Sequence, residues 1–490
     1  MYLGIDLGTS GIKLLLLDDE HRIRATADAG LTVQQPQPTW SEQSPQAWWQ
    51  GLEQAVSEMR VSAPDAWRQV RAIGLSGQMH GAVVLGGAGE VLRPAILWND
   101  GRSGAECAAL EAAVPSSRQI TGNLAMPGFT APKLLWLRKH EPALFAQIRQ
   151  VLLPKDWLGL QLTGQAVSEM SDASGTLWLD VAQRQWSATM LAACGLDPSH
   201  MPRLLEGSES RGTLLPALSQ RWGLSDMVQV AGGGGDNAAS AVGVGAVRAG
   251  QGFVSLGTSG VLFLVGASYQ AAPELAVHAF AHALPQRWHQ MAVMLSAASA
   301  FGWVTQLTGS TSEAQLSQTV AGLAPAQRAR APIFLPYLSG ERTPHNNPHA
   351  SGSFVGLRTE HGAADLAYAV MEGVCFGLMD GQAAMAQGAT PSEDPGPALS
   401  LVGGGARSDV WGQMLASGLN CPLQRPIGAH AAAALGAARL AWLADGGTEH
   451  QVCVPLPASH TFEPDDAQRV ILLARYARFR ALYPALRDLF

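Results

Sequence analysis

The pentapeptide LGTSG occurs at residues 7–11 and again at 256–260, half a chain length apart. A turn of Gly, Thr and Ser gathers backbone N–H groups and hydroxyls at one point, which suits phosphate oxygens where no P-loop is present. Gly8 and Gly257 let the backbone approach closely, Thr9, Ser10, Thr258 and Ser259 supply donors, and Lys13 adds a positive charge. An isolated turn of this composition is an ordinary hairpin; its recurrence in the same apolar context points to a two-sided phosphate clamp. The copies differ at the preceding residue, Asp6 in the first and Ser255 in the second. One Mg²⁺ takes one or two protein carboxylates plus water, so Asp6 alone suffices as its ligand, and a second carboxylate at 255 would repel the phosphates.

The segment QVAGGGGDNAASAVGVGAV places Asp236 and Asn237 directly after the run Gly232–Gly235. Backbone bare of side chains admits two large reactants, and the carboxylate of Asp236 is then placed to take a hydroxyl proton as that hydroxyl attacks phosphorus. A helix-capping Asp is the plainer reading, and the two roles are compatible. In LVGGGARSDVWGQML, the glycines Gly403, Gly404 and Gly405 offer a flat surface for a base such as adenine, with Ser408 as the cap of the following helix. The order lacks GxGxxG, so it is not a dinucleotide fingerprint.

Two polar clusters suit a sugar: Gln78-Met79-His80 and Trp98-Asn99-Asp100 with Arg102. Each follows a short apolar run, at a strand end where open α/β sheets keep their ligands. A lone His there is more often structural, whereas Trp with Asn, Asp and Arg offers an apolar face and hydrogen bonds to a polyol. His278 and His282 have a spacing used by metal hydrolases, but there is no HExxH glutamate, so they read as structural histidines. No GxSxG elbow supports an esterase.

These residues need a scaffold of strands ending in turns. Apolar runs flank each LGTSG, YLGI and IKLLLL around the first and GFVSL and VLFLV around the second, so both copies read as β-hairpins of a duplicated unit. Helices follow in each half. In one, Ser44 stands as cap, Pro45 in the first turn, and Trp48, Leu52 and Val56 recur on one face; in the other, Asp365 stands as cap with Leu366, Ala369, Val370 and Val374 behind it. The second helix is expected to end at the turn-rich GATPSEDPGPA. The fold class is α/β in two domains, 1–248 and 249–490, the boundary falling near 247–252.

At 490 residues, 47% hydrophobic and 14% charged, the chain is large enough for two cores. A net charge of −7 without a long Lys/Arg run argues against nucleic acid or an anionic membrane as partner. The five cysteines, Cys107, Cys194, Cys375, Cys421 and Cys453, form no CxxC pair, which suits a reduced, cytoplasmic protein without a zinc site. The start MYLGIDLG has no cleavable-signal pattern, and LLLL at 14–17 is far too short to span a bilayer.

Taken together, GIDLGTSGIK, SGQMHGAVVL, ILWNDGR, TGNLAMPGFTAPKLLWL, LPKDWL, SDASGTLWLD, GGGGDNAASAVGVG, SLGTSGV, FLPYLSGERTPHNNP and LVGGGARSDVWGQML resemble the FGGY family of carbohydrate kinases over nearly the whole chain. The resemblance implies two ribonuclease H-like domains of the actin and hexokinase superfamily, with sugar and nucleotide meeting in the cleft between them. It implies an ATP- and Mg²⁺-dependent kinase acting on D-xylulose at O5, with ribulose, gluconate or glycerol as alternative acceptors. By position, Asp236 corresponds to the proton acceptor, Met79, His80, Asp236 and Asn237 to sugar contacts, and Asp6, Thr9, Ser10, Thr258, Gly404 and Arg407 to the Mg-ATP site. A homodimer is left open. Two departures stand out: four glycines precede Asp236 where the family has three, and His430 with a run of alanines stands where relatives carry an acidic residue. The rival of another class, an actin- or chaperone-like ATPase, would need a peptide-binding domain for which the chain has no room.

Overall fold

Both pentapeptides sit at the tips of antiparallel hairpins, each at the heart of a mixed sheet. In the computed structural model, which describes residues 1–387 and 396–490, strand Tyr2–Leu7 pairs with Gly11–Leu17, and Gly252–Leu256 pairs with Gly260–Gly266. Alternating and fully apolar runs favour strands here, and the small turn residues let the chain reverse. The first hairpin is extended on one side by Ile23–Gly30, antiparallel, and on the other by Ala72–Gly77, parallel. Trp288–Met294 and Leu399–Val402 do the same for the second hairpin. The two seven-stranded sheets therefore repeat one order of strands, as the sequence duplication predicts. The turns are not identical: Leu7 pairs with Ile12, but Leu256 pairs with Gly260.

The predicted first helix spans Pro45–Ser62 and buries Trp48, Leu52, Ala55, Val56 and Met59 along one stripe. Each such side chain contributes about 1.5–3 kcal/mol on leaving water, which fixes the helix on the first sheet. Ser44 does stand at the N-cap position, but its side chain makes no capping bond. The long helix runs Ala363–Met385, starting earlier than expected, so Asp365 is not the cap itself. It sits in the first turn, and its carboxylate accepts from the Gly362 N–H at 2.9 Å. Of GATPSEDPGPA, residues 388–395 lie outside the described residues. Ser408 caps its helix as predicted, accepting from Trp411 N–H at 3.3 Å.

The alanine-rich helix Ala432–Ala444 does not stay with the second sheet. It packs on strands Tyr2–Leu7 and Ala72–Gly77 of the first sheet and on helix Asp236–Val244. The contact is backbone to backbone: a Cβ on Gly436 would lie 1.7 Å from the carbonyl oxygen of Ala239. Small residues are what such an approach requires, which accounts for AAALGAA without invoking any ligand.

Candidate active site

Asp6 and Asp236 come to the same place from opposite ends of the first half. Asp6 is the second-last residue of the first strand, opposite Lys13 on one neighbour and Ser76 on the other. Ser76 Oγ donates to Asp6 Oδ1 at 2.9 Å. Burial pushes the Asp6 carboxyl up, with the Ser76 bond and the Lys13 charge opposing. Asp236 is the first residue of its helix, with Gly235 at the cap position. Its Oδ1 accepts from Asn237 N–H at 2.7 Å and Asn237 Nδ2 at 2.9 Å. No described residue donates to Oδ2, and Asp236 is partly exposed. Burial, and next the charge of Asp6, push its pKa up to about 6. A carboxylate poised near neutrality with one uncommitted oxygen is what a base for a hydroxyl needs.

Met79 and His80 line the floor. Met79 lies against Gly235, where any Cβ would come within 2.9 Å of its sulfur, so the glycine before Asp236 is needed for close packing. His80 has a left-handed backbone (φ 68°), and its Nδ1 is 2.7 Å from the carbonyl oxygen of Gly175. Because a carbonyl only accepts, Nδ1 carries the hydrogen and Nε2 is left as an acceptor. Burial lowers the pKa of His80 to about 3, so it is neutral at physiological pH. Phe129 packs edge-on against its ring at 4.8 Å.

Trp98 is exposed over 44% of its surface, and its Nε1 donates to Thr9 Oγ1 at 2.9 Å. Thr9 in turn donates to Gln78 Oε1 at 3.1 Å, and Gln78 Nε2 to Gln43 Oε1 at 3.1 Å. The Thr9 hydroxyl hydrogen, expected to face phosphate, is thus committed to holding the turn to the Gln78 and Trp98 clusters. Arg102 also differs from the expected sugar contact. Its side chain is buried in a bidentate pair with Asp100 at 2.9 and 2.7 Å, with Glu42 at 2.7 Å, and its guanidinium lies 3.6 Å over Trp40. Three partners leave it to shape the Trp98 loop rather than to reach a ligand.

On the other side, Ser10 and Thr258 are exposed at the two turn tips, while Gly257 and Ser259 are partly exposed. The second turn is braced through its carbonyls, Thr258 O accepting from Ala297 N–H at 2.9 Å and Gly257 O from Ala298 N–H at 2.8 Å. Gly403 reverses the chain at φ 92° against Leu256, and Gly404 and Gly405 open onto a cavity of about 620 Å³ bounded by Phe301, Gln318, Arg407 and Trp411. A second cavity of about 380 Å³ lies between Gly403, Arg407, Gly428 and His430. Lys13 reaches the same loop, its Nζ 3.4 Å from the carbonyl oxygen of His430. Volumes of this size suit a nucleoside.

Sequence reasoning assigned no role to the charges beneath Asp236. Lys155, with no exposed side-chain surface, meets Asp156 at 2.5 Å, Asp172 at 3.4 Å and Glu169 at 3.7 Å, and Arg211 meets Asp156 at 3.7 Å. Ser171 Oγ donates to Glu169 and accepts from the Gly235 N–H at 3.0 Å, linking this cluster to the residue before Asp236. The adjacent charges of LPKDWL inside an apolar run were the available signal. His278 and His282 are buried and partnered by Asn123 Oδ1 and the Ala246 carbonyl, as expected of structural histidines. No cluster of three or more His, Cys, Asp or Glu suited to a metal occurs among the described residues.

A carboxylate with an uncommitted oxygen beside Met79, a pair of small-residue turns and a nucleoside-sized cavity belong together in one kind of enzyme, and the sequence comparisons agree. The family model described as the N-terminal domain of the FGGY family of carbohydrate kinases matches residues 1–243, and that of the C-terminal domain matches 252–444. The chain belongs to this family: it is a carbohydrate kinase, acting on a sugar and ATP, and has the two-domain fold of the actin and hexokinase type. It is similar to the xylulose kinase of Escherichia coli, 51% identical over 496 residues with all of both chains covered. That of Klebsiella pneumoniae is 50% identical over 486 residues, covering 99% of this chain and 98% of the other. Among solved structures, a xyloylose kinase from Brucella ovis superposes with a TM-score of 0.95 at 48% identity, covering 100% of each chain. Among the described residues no helix is long and apolar enough to cross a membrane.

Proposed function

We propose that the protein transfers the γ-phosphoryl group of ATP to O5 of D-xylulose, giving D-xylulose 5-phosphate and ADP. The observation that carries this is Asp236, a base with one uncommitted oxygen, on a glycine-bared turn against Met79. Full-length relatives at about half identity with xylulose kinase activity in their names supply the choice of sugar. Residues 1–248 hold the sugar through Met79, His80, Trp98, Asp236 and Asn237. Residues 249–490 hold the nucleotide through the second turn, Gly403–Gly405 and Arg407, and the first turn with Ser10 and Lys13 completes the phosphate clamp. The Thr9 hydroxyl and Arg102 position this surface from behind.

Asp236 takes the O5 proton as O5 attacks phosphorus. Phosphoryl transfer has a loose transition state, so alignment matters more than base strength. Two neighbouring carboxylates, of which Asp6 raises the pKa of Asp236, with oxygen as the donor atom and Lys13 as partial counter-charge, fit Mg²⁺. Asp6 would hold that ion through water, and when bound it neutralises phosphate charge. Five free, buried cysteines suit the cytoplasm.

The test is a coupled assay of ADP release over a panel of D-xylulose, L-ribulose, gluconate and glycerol. The highest kcat/KM is expected for D-xylulose; a clearly higher value for another acceptor overturns the choice of sugar. His80→Ala removes the Nε2 acceptor and should raise KM for the sugar roughly tenfold with KM for ATP little changed. Equal losses for both substrates would make His80 structural.

A further inference from the structure

Arg342, in GERTPH, is a cation with no hydrogen-bonded or ion-paired partner among the described residues, close to the sugar floor and one strand from the second phosphate turn. Its neighbours are pinned to strand Trp288–Met294 and the residue after it. Thr343 N–H donates to Val293 O at 3.0 Å, Val293 N–H to Thr343 Oγ1 at 3.1 Å, and Leu295 N–H to Glu341 Oε1 at 3.0 Å. Between those points lies Met294, which pairs with Gly260, the residue that closes the second phosphate turn. Arg342 is therefore held along the edge of that strand away from Gly260, one strand removed from the second phosphate turn. On its other flank, Thr343 Oγ1 donates to Ala276 O at 2.9 Å, two residues before His278. The His278 ring stacks 5.4 Å from Phe280, which is 6.2 Å from His80 of the sugar floor.

The guanidinium makes no hydrogen bond or salt bridge with a described residue, and Arg342 is only partly exposed. Glu341 offsets part of the positive charge but makes no hydrogen bond to the guanidinium: burial pushes its carboxyl up to about 8, and its Oε1 takes the Leu295 and Arg342 backbone N–H groups. The positive charge is felt by His80 and His278, whose protonation it opposes. A partly buried cation whose N–H groups have no protein acceptor attracts an anion. Near the sugar floor and one strand from a phosphate-binding turn, the anion that arrives is the phosphoryl group in transit.

Building on the kinase reading above, we propose that Arg342 binds the transferring phosphoryl group directly, its N–H groups donating to the non-bridging oxygens. As the bond from the sugar oxygen to phosphorus forms, the bond from phosphorus to the leaving oxygen breaks and its electron pair departs with ADP. The hydroxyl proton goes to Asp236. Arginine's planar fork matches the oxygens of the transition state, where their charge is redistributed.

The experiment uses the full chain and whichever panel sugar the wild type prefers, so a wrong choice of sugar shows in the wild type and a wrong role for Arg342 only in the variants. Arg342→Ala should lower kcat roughly 10²–10³-fold, the range for loss of a transition-state donor, with sugar and ATP affinities by calorimetry changed less than about threefold. Arg342→Lys, which keeps charge but loses the fork, should retain more activity, and millimolar guanidinium should restore part of the Arg342→Ala loss. A structural role would be moved by neither. Thermal melting checks each variant, and if Arg342→Ala does not fold, Arg342→Lys decides. A kcat within about threefold of wild type in the folded variant, or a loss unrelieved by both lysine and guanidinium, overturns the proposal.

Discussion

Asp236→Asn should lower kcat by roughly 10²–10⁴-fold, the usual share of general-base catalysis, while ATP binding persists. The amide keeps the shape of the carboxylate and cannot take the proton. In the wild type, activity should fall on the acid side of pH 6, because the base must be ionised and its pKa stands at about 6. His80, neutral down to about pH 3, does not contribute to that limb. The stability effect has the opposite sign. A carboxyl whose folded pKa is raised destabilises the fold when ionised, so Asp236→Asn should be more stable than wild type above about pH 6, and the gain should vanish as pH falls below the unfolded value near 4. Rate profiles and urea denaturation from pH 4 to 8 check both halves. A variant with near wild-type turnover places the base elsewhere.

The duplication was legible because a repeated pentapeptide between apolar runs leaves few alternatives to a hairpin, and both hairpins recur with the same neighbours. Asp236 stood out as a candidate because a carboxylate follows four glycines, but the sequence did not show that Gly232, Gly233 and Gly235 are needed for close packing against Glu206, Leu75 and Met79. Hydrogen-bond direction was not legible. Thr9 has the right type for a phosphate donor, but only the fold shows its hydrogen aimed at Gln78. Arg102 looked like a ligand group until Asp100 and Glu42 were seen to occupy it. The run of alanines after His430 was visible, but the partner of the helix it opens, the first sheet, lies hundreds of residues away in sequence and leaves no local periodic trace. Arg342 and Lys155 lie in segments that a one-dimensional reading treats as a loop and as a helix start, and only the fold, which buries Lys155 and leaves the Arg342 guanidinium without a described hydrogen-bond partner, makes their charges informative.

Lys155→Met tests whether that buried cluster holds the catalytic turn. The methionine fills a similar volume, but Asp156 and Glu169 then lose the cation that opposes their burial, and breaking a buried pair from one side typically costs about 3–5 kcal/mol. Glu169 already has a pKa raised by burial, with Lys155 the first influence opposing the rise, and Asp172 is raised further still. Without Lys155 these carboxyls move up again. The loss of stability should therefore be full above their new folded pKa values and shrink as pH falls through them, where the protonated forms need no counter-ion. Turnover should drop as well, since Glu169 anchors Ser171, whose Oγ receives the Gly235 N–H beside Asp236. Urea denaturation of wild type, Lys155→Met, Asp156→Asn and the double variant forms a cycle that separates the pair from the rest. Replacing both partners should cost less than the sum of the single changes, because the orphaned charge is then absent. A loss under about 1 kcal/mol that does not vary between pH 5 and 8 would mean the cluster is solvated and holds nothing in place.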